Sequence, residues 1–135
     1  MITIEIQYLG ELRCEAVHQP SGARLNTDAP RDNMGKGESF SPTDLVATAL
    51  GTCMATLMGI AARSLNVDLA GTRVTVQKEM VAAPMRRIGK LGVKITIPVK
   101  LTGEQKEKLQ RAALTCPVHK SLHPDVQIPV EFVWA

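Results

Sequence analysis

Apolar and polar residues alternate over residues 2 to 9, where Ile2, Ile4, Ile6 and Tyr8 are interleaved with Thr3, Glu5 and Gln7. A period of two predicts a half-buried strand. Gly10 marks a turn, and residues 12 to 18 resume the alternation, with Leu12, Cys14 and Ala16 on one face and Arg13 and Glu15 on the other. Pro20, Ser21 and Gly22 make a second turn, and residues 23 to 27 predict a short third strand. A polar loop, DAPRDNMGKGES, follows. At Ser41 the pattern changes. Ser41 is a helix N-cap, Pro42 stands where a helix has no N–H to lose, and Asp44 completes the capping pattern. Phe40 and Leu45 are spaced for a hydrophobic staple. The stretch SPTDLVATALGTCMATLMGIAARSL carries no charge from Leu45 to Ala62 and is apolar on all sides. It predicts a buried helix of roughly 36 Å at 1.5 Å per residue.

Beyond a connector at residues 66 to 71, two segments alternate again. Residues 72 to 81 carry Val74 and Val76, and residues 90 to 99 carry Val93, Ile95 and Ile97, with the cationic MRRIGK between them extending the second strand. Thr102 with Gln105 forms a capping box that starts a second helix. That helix places Leu109, Ala112, Ala113 and Cys116 on one side, and Pro117 ends or kinks it. A last strand over residues 126 to 134 is interrupted by Pro129, which assigns it to a sheet edge. The order βββ-α-ββ-α-β with hairpin-length links predicts an α+β fold. Its sheet is antiparallel, and the chain is one domain over residues 1–135.

The uncharged run in the central helix reaches the length at which a membrane span must be weighed. Thr48, Thr52 and Thr56 recur along it, and its flanks lack aromatic and basic anchors. The other elements would also have no core without it, so the expectation is a buried helix and no membrane. Ala47, Gly51, Ala55 and Gly59 form a smooth stripe at four-residue spacing that lets another backbone approach. With an apolar stripe as well, this helix has more face than one short sheet covers, and a homodimer is expected. Aromatics are only 3% of the residues, so the core is aliphatic. A formal charge of +3 without stacking platforms argues against nucleic acid. The chain alternates from its first residues with no secretory segment before the first strand, and three unevenly spaced cysteines do not make a disulfide framework. Both observations point to the cytoplasm.

Two chemistries are open to Cys53. It is either a small core residue, as most buried free cysteines are, or a reactive thiol. Helical geometry surrounds it with Val46, Ala49, Leu50, Leu57 and Ile60. An apolar setting favours the neutral thiol, and the residue lies too far inside the helix for the dipole to help. A reactive Cys53 therefore needs a cation from elsewhere. Cys116, in TCPVHKSL, sits at a helix end where the backbone can move, a suitable place for a resolving partner. Metal binding by Cys116 and His119 is the rival, but two ligands fall short of a zinc set. His18 and His123 are isolated, Cys14 faces the core side of a strand, and no phosphate loop, dinucleotide fingerprint or nucleophile elbow is present.

ESFSPTDLVATALGTCMATL followed by LTCPVHKSL resembles the OsmC/Ohr family of organic hydroperoxide reductases, and the loop SGARLNTDAPRDNMGKGESFSP fits its OsmC-like branch. The resemblance extends over nearly the whole chain. It implies an intertwined homodimer with antiparallel sheet wrapped around long buried central helices that pack together, a peroxidatic cysteine at Cys53 and a resolving cysteine at Cys116. It implies reduction by a dihydrolipoyl or other external dithiol, with no metal, flavin or other cofactor. The resulting expectation is thiol-dependent reduction of organic hydroperoxides in oxidative stress defence.

The resemblance also exposes a gap. The better-known branches carry a glutamate ten residues before the peroxidatic cysteine, and it holds an arginine against the thiolate. Here that position is Thr43, which cannot ionise. Glu38 is the nearest alternative carboxylate, Asp44 being used for capping. Arg31 is the first candidate for the cation and Arg24 the second. The missing glutamate keeps a second reading in view, an OsmC-like redox-sensing or small-molecule binding protein with little peroxidase turnover.

Overall fold

The computed structural model describes every residue, Met1–Ala135. The chain forms two compact units, Met1–Val46 and Ala47–Ala135.

In the first unit, β1 (Ile4–Gly10), β2 (Arg13–His18) and β3 (Arg24–Asp28) form an antiparallel sheet in that order. The register sets Ile6 beside Ala16 and Ala16 beside Leu25, then Tyr8 beside Cys14 and Cys14 beside Thr27. Apolar side chains thus collect on one face, while Arg13 stands across from Asp28 on the other. The half-burial expected of β1 is not realised in the single chain, where Ile6 is 68% and Tyr8 63% exposed.

The polar loop after β3 is a built structure. The Asp28 N–H donates to the Phe40 carbonyl (3.1 Å), Ala29 N–H to Leu12 (3.2 Å) and Gly37 N–H to Ala29 (3.2 Å). Arg31–Asn33 makes one 3₁₀ turn. Gly35 is obligatory, because a Cβ there would lie 1.7 Å from the Ala29 carbonyl oxygen. Helix α1 (Pro42–Ser64) then starts as its sequence predicts. Ser41 Oγ accepts from the Asp44 N–H (3.1 Å), and the Asp44 carboxylate accepts from the Ser41 N–H (2.9 Å). Phe40 stays 53% exposed, so the staple with Leu45 is not a buried one.

The second unit contains most of α1 together with β4 (Arg73–Val81), β5 (Arg87–Ile97), α2 (Gly103–Ala113), α3 (Pro117–Ser121) and β6 (Val130–Trp134). Its core is aliphatic, as expected. Leu50, Met54, Met58 and Ala62 of α1 are buried with Leu91, Val93, Ile95 and Ile97 of β5 and with Leu109 and Ala113 of α2. Gly51 lets the α1 backbone close on β4, since a Cβ there would meet Val76 Cγ2 at 2.9 Å and Val74 Cγ1 at 3.3 Å.

Three expectations are corrected. First, α1 is not buried on all sides within the chain. Thr48, Thr52, Thr56 and Ile60 are exposed. The Thr52 and Thr56 hydroxyls donate back to the carbonyls four residues earlier, at 2.7 and 2.8 Å. Their polar groups are thereby satisfied inside the helix, and the remaining surface is chiefly methyl. Second, the sheet with order β4-β5-β6 is mixed, because β6 runs parallel to β5. The crossover through α2 and α3 returns the chain to the end from which β5 began, and a parallel pair needs such a connection. β6 begins at Val130, four residues later than expected, and lies at an edge as Pro129 requires. Pro129 gives its carbonyl to Val93 N–H (2.9 Å) and has no N–H to withhold. Third, Pro117 does more than end a helix. α2 closes at Ala113, and Pro117 opens a separate short helix from its first position.

Candidate active site

The second unit brings Cys53 and Cys116 together. Cys53 lies midway along α1 and is half-buried, whereas Cys116, just before α3, is fully buried. Both are free thiols, and their side chains lie close enough to interact. Burial first, then the neighbouring Cys53, push the Cys116 thiol above its ordinary range. The amides of His119 and Val118 point at the sulfur and pull it partway back. Cys116 Sγ accepts from His119 N–H at 3.4 Å and so acts as the N-cap of α3. The result is a half-buried cysteine with a second, buried and protonated thiol beside it.

Cys14 lies on the apolar face of the first sheet between Tyr8 and Thr27 and is not one of this pair. Cys116 and His119 have no third ligand, and no cluster of three or more potential ligands exists in the chain. The histidines are engaged locally: His18 Nδ1 with Ser21 Oγ (2.6 Å), and His123 Nδ1 with the Asp125 N–H (3.1 Å).

The first unit places the candidate charges as follows. Arg24 pairs with Glu15 across the β2–β3 ladder at 2.7 Å. Arg31 is exposed, and its Nε donates to the Lys36 carbonyl at 3.2 Å. Glu38 does not engage Arg31. Its carboxylate is 3.0 Å from Arg13, whose guanidinium also lies 3.6 Å from Asp28. Glu38 first, then Asp28, hold Arg13 still more firmly protonated than a free arginine. Asp28 is 2% exposed, accepts the Glu38 N–H through Oδ2 (3.0 Å), and leaves Oδ1 buried without a partner.

Arg13 and Asp28 escaped the sequence reading, although a signal for them was present. The turn at residues 19 to 22 fixes a register that puts these opposite charges directly across from each other. Thr43, where the better-known branches have glutamate, sits with its hydroxyl 3.2 Å from Ser41 Oγ at the helix start.

This α+β chain thus sets a half-buried helical cysteine beside a fully buried second one. The family model for OsmC-like proteins matches residues 35–131, and the chain belongs to the OsmC/Ohr family. A crystal structure from Psychrobacter arcticus 273-4, named provisionally as an osmotic stress induced and detoxification response protein, is 46% identical with a TM-score of 0.92. It covers 98% of this chain and 96% of its own. An organic hydroperoxide resistance protein OsmC from Legionella pneumophila superposes with a TM-score of 0.78 at 16% identity, covering 98% and 96%. The organic hydroperoxide resistance protein OhrB of Bacillus subtilis gives 0.70 at 15% identity, covering 98% and 97%. The last two establish likeness of fold. No curated protein matches the sequence.

Proposed function

We propose that the protein is a cysteine-based peroxidase that reduces organic hydroperoxides. The observation that carries this reading is the proximity of the Cys53 and Cys116 side chains, one half-buried and one fully buried. The Cys53 thiolate attacks the distal peroxide oxygen. The O–O bond breaks, the alkoxide takes a proton and leaves as an alcohol, and Cys53 becomes a sulfenic acid. The Cys116 sulfur then displaces hydroxide, which leaves as water with the thiol proton, and a Cys53–Cys116 disulfide forms. An external dithiol, of the dihydrolipoyl type, restores the pair by two-step exchange and is itself oxidised to a disulfide. No cofactor or metal takes part. Apolar neighbours of Cys53, Leu57 and Ile60 among them, favour alkyl over hydrogen peroxide.

A thiolate in this setting calls for a cation, and the ion pairing within Met1–Val46 ranks the candidates. Arg24 is committed to Glu15, and Arg13 to Glu38 and Asp28. Arg31 is anchored by a carbonyl rather than a carboxylate, which leaves its charge to share with an anion. Arg31 remains the first choice. Glu38 serves it indirectly, by tying the end of the loop that carries Arg31 to Arg13 and Asp28.

The working form is a homodimer in the cytoplasm. Ile4, Ile6, Tyr8 and Leu25 on one sheet face, and Ile60 on α1, are large exposed apolar side chains, more than isolated surface residues account for. A second copy packed on the exposed face of α1, along Thr48, Thr52, Thr56 and Ile60, would cover it, since Ala47 and Gly51 of the small-residue stripe are already buried within the chain.

The alternative, a redox-sensing or binding protein with little turnover, is favoured by Thr43 alone. Steady-state reduction of cumene hydroperoxide with a dihydrolipoamide regenerating system separates the two readings. Multiple turnovers abolished by Cys53→Ser support the peroxidase; one oxidation without turnover supports the sensor.

A further inference from the structure

Helix α3 is five residues long and has little of its own to hold it. Isolated helices of this length are unstable in water, because nucleation fixes several residues for one hydrogen bond. Pro117, at the first position, contributes no N–H. Lys120 N–H donates to the Cys116 carbonyl (3.1 Å), Leu122 N–H to the His119 carbonyl (3.4 Å), and Ser121 Oγ to the Pro117 carbonyl (2.8 Å). The first-turn amide of His119 is served by the Cys116 sulfur. A thiol therefore does here what serine or aspartate does at most helix starts.

That same sulfur is the one that must move when the pair is oxidised. Forming the bond with Cys53 brings the two sulfurs to about 2 Å and fixes the dihedral about the S–S bond. The cap to His119 spans 3.4 Å, and displacement of Sγ toward Cys53 pulls the sulfur away from that amide and breaks it. The reductant meets a related obstacle. Exchange proceeds fastest when the better leaving thiol is expelled, and Cys116 is the poorer one because burial opposes its thiolate. The favourable attack is then on Cys116 with Cys53 leaving, yet Cys116 is fully buried.

We propose that α3 is a latch set by the redox state of the pair. In the dithiol form the Cys116 thiol caps α3 and the helix closes over that sulfur. In the disulfide form the cap is withdrawn, the segment from Pro117 to Ser121 opens, and an external dithiol reaches Cys116. Its first thiolate attacks Cys116 Sγ, forming a mixed disulfide and expelling Cys53 with the electron pair of the S–S bond. The second thiol then displaces Cys116, which takes up a proton, recaps α3 and closes the latch. This inference rests on the proposed Cys53–Cys116 disulfide, and its test reads the bridge and the latch separately.

The experiment is hydrogen exchange of the full-length protein, reduced and after one equivalent of cumene hydroperoxide, with peptide mass mapping of the same samples. The bridge appears as a mass loss of two hydrogens on the linked Cys53 and Cys116 peptides. The expected result is that bridge together with at least tenfold faster exchange at His119 and Lys120. Cys116→Ser keeps a capping oxygen and cannot form the bridge, so its exchange at these amides stays slow and unchanged by peroxide. Cys116→Ala exchanges quickly without any oxidant. A bridge with unchanged exchange at His119 overturns the latch and leaves the peroxidase intact. Faster exchange in peroxide-treated Cys116→Ser also overturns it, since the cap is not then the cause. Absence of any bridge removes the proposed disulfide chemistry and the latch together. Trapping the oxidised protein with a one-thiol reductant, 2-mercaptoethanol, places the mixed disulfide on Cys116; its appearance on Cys53 rejects the opened route.

Discussion

Two glycines on the same helix make opposite predictions, and the difference can be worked from the structure. Replacing a helical glycine by alanine gains about 0.8–1.0 kcal/mol of helix propensity at either position. At Gly51 the added Cβ stands 2.9 Å from Val76 Cγ2 and 3.3 Å from Val74 Cγ1. Valine is stiff about its first torsion and sits here in a ladder with β5, so neither methyl can swing aside cheaply. Overpacking of this kind costs about 1–3 kcal/mol, leaving Gly51→Ala from neutral to about 2 kcal/mol destabilised. At Gly59 nothing lies within 4 Å, and Gly59→Ala keeps the full gain in the single chain. The propensity gain is common to both variants and cancels between them. Their difference, about 1–3 kcal/mol, isolates the contact with β4. Urea unfolding at one protomer concentration measures it as a shift in midpoint at constant slope. Equal midpoints for the two variants would refute the close approach of α1 to β4. A loss at Gly59 that disappears on dilution would place a second copy against that glycine, as the proposed dimer requires.

One equivalent of organic hydroperoxide is expected to bridge Cys53 and Cys116 and leave Cys14 free; a peptide map with Cys14 in the bridge rejects the assignment. Arg31→Met is expected to slow peroxide attack on Cys53 over tenfold with the fold intact, since the side chain is exposed and makes one hydrogen bond to a carbonyl. Stopped-flow consumption of peroxide reads this, and an unchanged rate passes the role to Arg24. The buried Cys116 thiol is pushed up, so the unfolded chain loses this proton first as pH rises. Its contribution to stability is complete below the ordinary thiol value of about 8.5 and is lost as pH climbs toward the higher folded value. Unfolding midpoints of wild type and Cys116→Ser should therefore diverge only in alkaline solution, with the serine variant losing less. Leu109→Ala, at a fully buried position on α2, should cost about 2–5 kcal/mol in chemical denaturation; a loss below 1 kcal/mol would mean α2 does not seal this core.

Most elements were legible in the sequence because their signals are local. The Ser41–Asp44 capping pair and the Thr102–Gln105 box form as predicted, and each depends on atoms three residues apart. The alternation of β1 to β5 likewise placed the strands to within a few residues. The two cysteine motifs, through the family they resemble, also named a pair that the fold brings into contact. α3 was the local feature that was missed, because Pro117 signals the end of one helix and the start of another equally well, and a sulfur cap is not a common one.

What the sequence left undecided was partnership between segments remote along the chain. Alternation says that β6 is a strand with an inner and an outer face, but not that its neighbour is β5 or that the two run parallel. The period of α1 marks an apolar helix, but which side meets β4 depends on the cross-chain fit of Gly51 with Val74 and Val76. Glu38 and Arg31 lie close in sequence and looked like a pair. Arg13 instead claims Glu38, because β-pairing lays Arg13 beside Asp28 and the loop brings Glu38 back onto Asp28. A charge chooses among partners by distance in space, where attraction falls with separation, and chain order alone does not set that distance.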